Sequence, residues 1–167
     1  MNSELLYQLA LTLVPHVGDA HAKLLIKHFG DASSIFKAKP GTIEKVKGIS
    51  QPALQSLKEF SNFAEAEKEI RFIEKYRITP LFLTHPNYPQ RLLNCYDSPS
   101  LLFFKGSADL NNSKILSVVG TRSLSEYGKQ FTEKLIHDLS VENILIISGL
   151  AFGIDTIAHR ASLKNNL

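Results

Sequence analysis

Two short stretches carry the side chains with most capacity for chemistry. In SGLAFGIDTIAHR (residues 148–160), Gly149 and Gly153 bracket a run of small residues. Asp155 and His159 follow, four apart and on one face if the segment is helical. An Asp can orient a His, so the pair could act as an acid–base dyad; the structural alternative has Asp155 tying down the turn and His159 packing locally. No Ser or Cys stands in a GxSxG-type elbow to serve as nucleophile. In SVVGTRSLSEYG (residues 117–128), Gly120 permits close backbone approach, and Thr121 and Ser123 offer hydroxyls and backbone donors. Arg122 adds a guanidinium whose planar fork matches phosphate oxygens. This stretch is either a phosphate cradle or an ordinary turn with a surface Arg. Its glycine spacing matches neither GxGxxG nor GxxxxGK[ST].

Both stretches must be held by strands. Lys114–Gly120 (KILSVVG) reads as a continuous apolar strand of the kind found where a parallel sheet is covered on both faces. A helix is predicted from about Ser125 to Leu139, capped by Ser123 with Glu126 or by Ser125 alone. The strand Ile144–Ser148 and a helix from about Gly153 follow. Strand, helix, strand, helix opens an α/β doubly wound domain, in which ligands sit at the carboxyl ends of strands. Two glycine-bearing turns at consecutive strand ends therefore favour one concave anion site at helix N-termini: Gly120, Thr121, Arg122 and Ser123 on one lip, and Gly149, Leu150, Ala151, Phe152 and Gly153 on the other. Asp155 and His159 would support its shape. Such sheets usually have five or six strands. With two strand–helix units before Leu167, the chain reads as a fragment.

The first seventy-odd residues read as helices. Apolar residues recur at helical spacing from Leu5 to Leu13, then from Ala22 to Phe29, where Gly30 is placed as a stop. Short segments follow at Ser33–Phe36 and Ile43–Val46, and one helix is predicted from about Pro52 to Tyr76. Two turns in this region have a damaged hydrophobic–x–Gly–hydrophobic–Gly pattern, with His16 at the first glycine position of one and Ser50 at the second of the other. They fit either a weakened DNA-backbone grip or a packing module. Beyond residue 76 the style changes to prolines and short strands around Leu81–Leu83 and in PSLLFFKGS. The expected domains are a helical 1–76 and an α/β 77–167.

Composition bounds the rest. Hydrophobic residues make up 44% and charged residues 21%, the balance of a soluble globular chain. The start has no signal-peptide pattern, and no apolar run is long enough to span a bilayer. Cys95 is the single cysteine, which suits a reducing cytoplasm, and is expected to be a buried thiol. The net charge of +3 is spread over both halves, so a polyanion would have to meet a focused patch. The six histidines form no HExxH or His/Cys cluster, and neither metal nor cofactor is expected.

YPQRL (88–92), DSPSLLFFKG (97–106), VVGTRSLSEYG (118–128) and SGLAFGIDTIAHRASL (148–163) resemble, in order and spacing, the DprA/Smf family of DNA-processing proteins. The likeness extends over essentially the whole chain. It implies a sterile-alpha-motif or helix-hairpin-helix N-terminal domain and a truncated extended Rossmann-like domain. It also implies a non-catalytic cytoplasmic protein that binds single-stranded DNA in natural transformation, protects it and helps load the RecA recombinase, as a homodimer at full length. Arg122 would be the principal DNA-phosphate residue, with Gly120 and Thr121 lining the pocket and Gly149 to Gly153 forming a second wall. Phe152 stands where a basic residue is common, exchanging a charge for a stacking face. The remaining strands, the dimer surface and any winged-helix domain would lie after Leu167, and this fragment alone is expected to bind DNA weakly or not at all. Two other functions are alternatives to this one. A phosphoribohydrolase-type nucleotide enzyme requires a PGGxGTxxE-type stretch, which these residues lack. A partner-docking module would use the helical region as its working part.

Overall fold

The computed structural model describes residues 3–167, which form a mixed α/β chain with two compact units, one up to Ser107 and the other Ala108–Leu167. The first unit begins with six helices: α1 (Ser3–Leu13), α2 (Asp19–Phe29), α3 (Ala32–Lys37), α4 (Pro40–Ile43), α5 (Gln51–Glu59) and α6 (Phe63–Tyr76). Their ends follow from local chemistry. Gly30 closes α2 with φ +88°, a conformation glycine adopts without Cβ penalty. Asp31 caps α3 by accepting from the Ser34 N–H at 2.7 Å. Glu4 on α1 accepts the next free amides of α3, from Ala32 (2.8 Å) and Ser33 (3.1 Å). Ser50 caps α5, and Arg77 ends α6 in the left-handed region.

The single helix predicted from Pro52 to Tyr76 is instead two. Phe60 leaves α5 extended, at ψ 122°, and Phe63 starts α6. Ser61 and Asn62 are weak helix formers, and the break lets Phe60 and Phe63 meet edge to face at 5.4 Å while both contact Phe36. Apolar spacing ran through the interruption because both flanking phenylalanines belong to one cluster.

The two hairpin-like turns share a backbone plan. His16 (φ +63°) and Gly48 (φ +92°) take the left-handed position, and Gly18 and Ser50 stand at the N-caps of α2 and α5. Both turns are used internally. Asp19, in the first turn of α2, accepts from the Ser100 N–H (2.6 Å) and hydroxyl (2.8 Å). A Cβ on Gly48 would lie 3.0 Å from Leu24.

The same unit closes with an antiparallel pair, β1 (Thr79–Phe82) and β2 (Leu101–Phe104). The segment between them includes a 3-10 turn at Gln90–Asn94 and the buried Tyr88, whose hydroxyl donates to the Pro99 carbonyl at 2.6 Å. Cys95 is exposed, not buried as expected. It follows the 3-10 turn, and its carbonyl faces the Lys23 ammonium, so this segment is held by its backbone and leaves the thiol outside.

The second unit is β3 (Ile115–Ser117), α7 (Glu126–Leu139), β4 (Leu145–Ile147) and α8 (Ile154–Lys164). β3 and β4 are parallel, with Ile115 opposite Leu145 and Ser117 opposite Ile147. Leu116, Val118, Ile144 and Ile146 pack with Ile136 of α7 and Ala158 and Ala161 of α8. The small Ala158 and Ala161 suit close helix packing. The predicted strand over Lys114–Gly120 is shorter, and the pair at its end, Ser117 and Ile147, is exposed.

Candidate nucleic-acid interface

Past β3 and β4 the two glycine-bearing loops run side by side. The ladder continues one step as the Val118 N–H donates to the Ile147 carbonyl at 2.9 Å, and the Ser148 hydroxyl donates to the Val118 carbonyl at 2.7 Å. The Ile154 N–H, first in α8, then donates to the Thr121 carbonyl at 3.2 Å. The glycines make this proximity possible. A Cβ on Gly120 would lie 2.7 Å from Ile154, and one on Gly153 would lie 2.1 Å from the Thr121 carbonyl oxygen and 2.8 Å from the Arg122 Cα. Gly153 also has φ +84°. Both absent side chains are thus filled by the neighbouring segment.

Asp155 is the centre of the arrangement. It is buried, and its Oδ2 accepts the N–H groups of Gly149 (3.0 Å) and Ala151 (3.4 Å). Burial pushes this carboxyl up, but donation from Ala151, Ser148, Gly149 and Gly120 outweighs that and holds it below the ordinary aspartate value. One carboxylate therefore gathers donors from both lips. Successive N–H groups around an αL residue form an anion-binding concavity, and here the anion is the chain's own. Leu150, between the two donors, is forced to φ +57°, unusual for a bulky side chain. Thr156 pins the far end by donating its hydroxyl to the Ala151 carbonyl at 2.8 Å.

Asp155 and His159 form no hydrogen bond with each other. The carboxylate is engaged by the turn, and the buried Nε2 of His159 has no partner within the described residues. At the other helix, Ser125 alone is the cap, accepting from Gly128 at 3.1 Å; Ser123 instead donates its own N–H to the Thr121 hydroxyl at 3.1 Å. Glu126 already sits in the first turn of α7, where a carboxylate complements the helix dipole.

What remains outward is compact. Thr121, Arg122 and Ser123 are exposed, and no ion pair engages Arg122 within the described residues. Leu150 and Phe152 are about four-fifths exposed, at 81% and 82%. The loops thus combine a guanidinium free of ion pairs with two apolar side chains on a hydrogen-bonded backbone. Ile154, Ser148 and Thr156 were not singled out from the sequence. Their signal was weak: a Ser directly before the first glycine of the turn, and an Ile and a Thr directly after the last. Among the described residues no three His, Cys, Asp or Glu side chains cluster as metal ligands, and no helix is long and apolar enough to cross a membrane.

Residues 79–167, which include both loops, match the family described as DNA recombination-mediator protein A. The chain belongs to this family. It is similar to Protein Smf of Synechocystis, at 31% identity with 99% of this chain and 42% of that protein aligned. It is similar also to the DNA processing protein DprA of Streptococcus pneumoniae, at 38% identity over 75% of this chain and 43% of that protein. The X-ray structure of the S. pneumoniae DprA superposes with a TM-score of 0.67 and 30% identity, covering 96% of this chain and 53% of that one. The chain spans about two fifths of the length of these curated relatives. Its mixed α/β architecture is accordingly DprA-like.

Proposed function

We propose that the protein is a single-stranded DNA-binding recombination mediator of natural transformation, cytoplasmic and non-catalytic, which protects incoming strands and helps load RecA. On this reading residues 1–76 are a sterile-alpha-motif or helix-hairpin-helix-like domain. Residues 77–167 are an incomplete Rossmann-like DNA-binding domain that dimerises at full length. The observation that carries the reading is the exposed Arg122 guanidinium, free of an internal carboxylate and fixed through its backbone against Gly153.

The division of labour within the loops is specific. Arg122 takes the phosphate, helped by the exposed Thr121 and Ser123, and Phe152 and Leu150 lie against bases, since aromatic faces stack on any base. Gly120, Gly149, Ala151 and Gly153 shape the loops instead of gripping the ligand, because the Gly149 and Ala151 amides already serve Asp155. Support for a non-catalytic role comes from the same carboxylate: its Oδ2 is engaged by the Gly149 and Ala151 N–H groups, and it makes no hydrogen bond to His159.

Fluorescence anisotropy of the full-length protein on oligo-dT at several salt concentrations tests this. Arg122→Ala is expected to weaken binding roughly tenfold and to flatten the dependence of log K on log salt by about 0.7 per lost phosphate contact. Unchanged affinity would remove the central claim. Loss of RecA loading in a variant that still binds DNA would separate the two activities.

A further inference from the structure

A second surface of the α/β unit has no role in the reading above. Between the later turns of α7 and α8 lies a groove of about 660 Å³, lined among others by Gln130, Lys134 and His137 of α7 and by Arg160, Lys164 and Asn165 of the α8 end. Three permanent cations face one carboxylate, Glu133. The His137 ring and the Asn165 side-chain amide are hydrogen bonded across it at 3.1 Å. Lys134 is paired with Asp138 at 2.6 Å, but Arg160 and Lys164 are exposed and form no ion pair within the described residues.

Those two cations are four apart on one helix, where like charges repel and no acid stands three or four positions away from either. Lys164 is in the last turn, where the dipole favours a cation, but Arg160 is a turn earlier and has no such reason. Position adds to charge. Both helices start at the two loops, and at about 1.5 Å per residue Arg160 lies roughly 9 Å and Lys164 roughly 15 Å along α8 from that end. A polyanion seated on Arg122 that ran along α8 for about two to three turns would reach this groove.

We propose that the α7–α8 groove is a second phosphate-contact site that extends the single-stranded DNA path, with Arg160 and Lys164 as its principal cations. The inference rests on the DNA-binding reading of the loops. An acidic peptide would meet the same cations, but the continuity with the loops favours nucleic acid.

The test uses the full-length protein with Arg160→Gln/Lys164→Gln and the charge reversal Arg160→Glu/Lys164→Glu, beside Arg122→Ala. Thermal unfolding of each would establish that these exposed changes leave the fold intact. Binding is measured by anisotropy on oligo-dT of about six and about twenty nucleotides, lengths that bracket a single-domain site. The groove variants are expected to bind the long strand roughly tenfold more weakly, with the salt slope reduced by about 1.4 for two lost contacts. Their binding to the short strand should stay near that of the parent, whereas Arg122→Ala weakens both. If the groove variants bind the long strand normally while Arg122→Ala fails, the groove proposal falls and the loop reading stands. Equal weakening on both lengths would also overturn it, by reducing the effect to bulk charge. If Arg122→Ala has no effect at either length, the loop reading itself fails.

Discussion

The chain contains two pairs of glycine-bearing turns, one in the helical unit and one in the α/β unit, and they use the same backbone freedom for different ends. In the helical unit His16 and Gly48 take left-handed positions, and the amides and side chains around them are spent on packing and caps. In the α/β unit Gly120 and Gly153 let two loops touch, and Asp155 satisfies the inner amides, so that Arg122, Leu150 and Phe152 are left facing out. A glycine in a turn is thus first a statement about what backbone comes close. The ligand, if any, meets what the glycine allows to be displayed.

Substitutions should separate the two pairs, and the largest effect is expected at Gly153. Gly153→Ala combines a left-handed φ with a Cβ 2.1 Å from a carbonyl oxygen, and should cost at least about 2 kcal/mol in urea unfolding, with Arg122 displaced as well. A neutral result would mean the loops do not need their contact.

Acid should come next. Because the folded-state pKa of Asp155 is depressed, its contribution to stability is fully present above the unfolded value near 4 and is lost as pH falls through the lower folded value. Asp155→Asn should therefore lower the unfolding temperature at neutral pH and narrow its gap to the parent below pH ~4. Asp31, in the helical unit, is depressed chiefly by the Ser34 N–H and then by the Ser34 and Ser33 hydroxyls. Asp31→Asn should act in the same direction without affecting DNA binding. A gap that stays constant with pH would show that Asp155 is not the titrating anchor.

The smallest and most discriminating changes relieve left-handed residues. Leu150→Gly and His16→Gly should each stabilise by about 0.5 kcal/mol, the relief of backbone strain exceeding the entropy of an added glycine. Only Leu150→Gly should also weaken oligo-dT binding, by a few-fold, because only it removes an exposed apolar side chain from the proposed DNA-binding loops. Equal DNA affinity in both variants would erase the functional half of the contrast.

Much of this was readable in advance where a local rule had one winner. Gly30 stops α2, Ser125 caps α7, and the strand–turn–helix order of the second unit follows from apolar runs and glycines. The break at Ser61–Asn62 was hidden because Phe60 and Phe63 keep an apolar periodicity across it, and only their tertiary cluster shows why the helix stops. Cys95 was misplaced because its residue type favours burial, whereas a backbone-held segment decided its exposure. At the loops, residue types could suggest that Asp155 holds the turn. They could not say that it collects donors from both strand ends, or that Leu150 would be bent left-handed between two of them.

The internal carboxylate has a further consequence for time and order. A phosphate-binding loop whose amides wait for their ligand fluctuates when empty and pays for its ordering at each encounter. Here the amides of Gly149 and Ala151 are engaged by Asp155 within the chain itself, so their hydrogen exchange should be slow with or without DNA. The outer side chains are then displayed on a surface already set, and on the proposed reading a strand would be held or released without the loops having to fold.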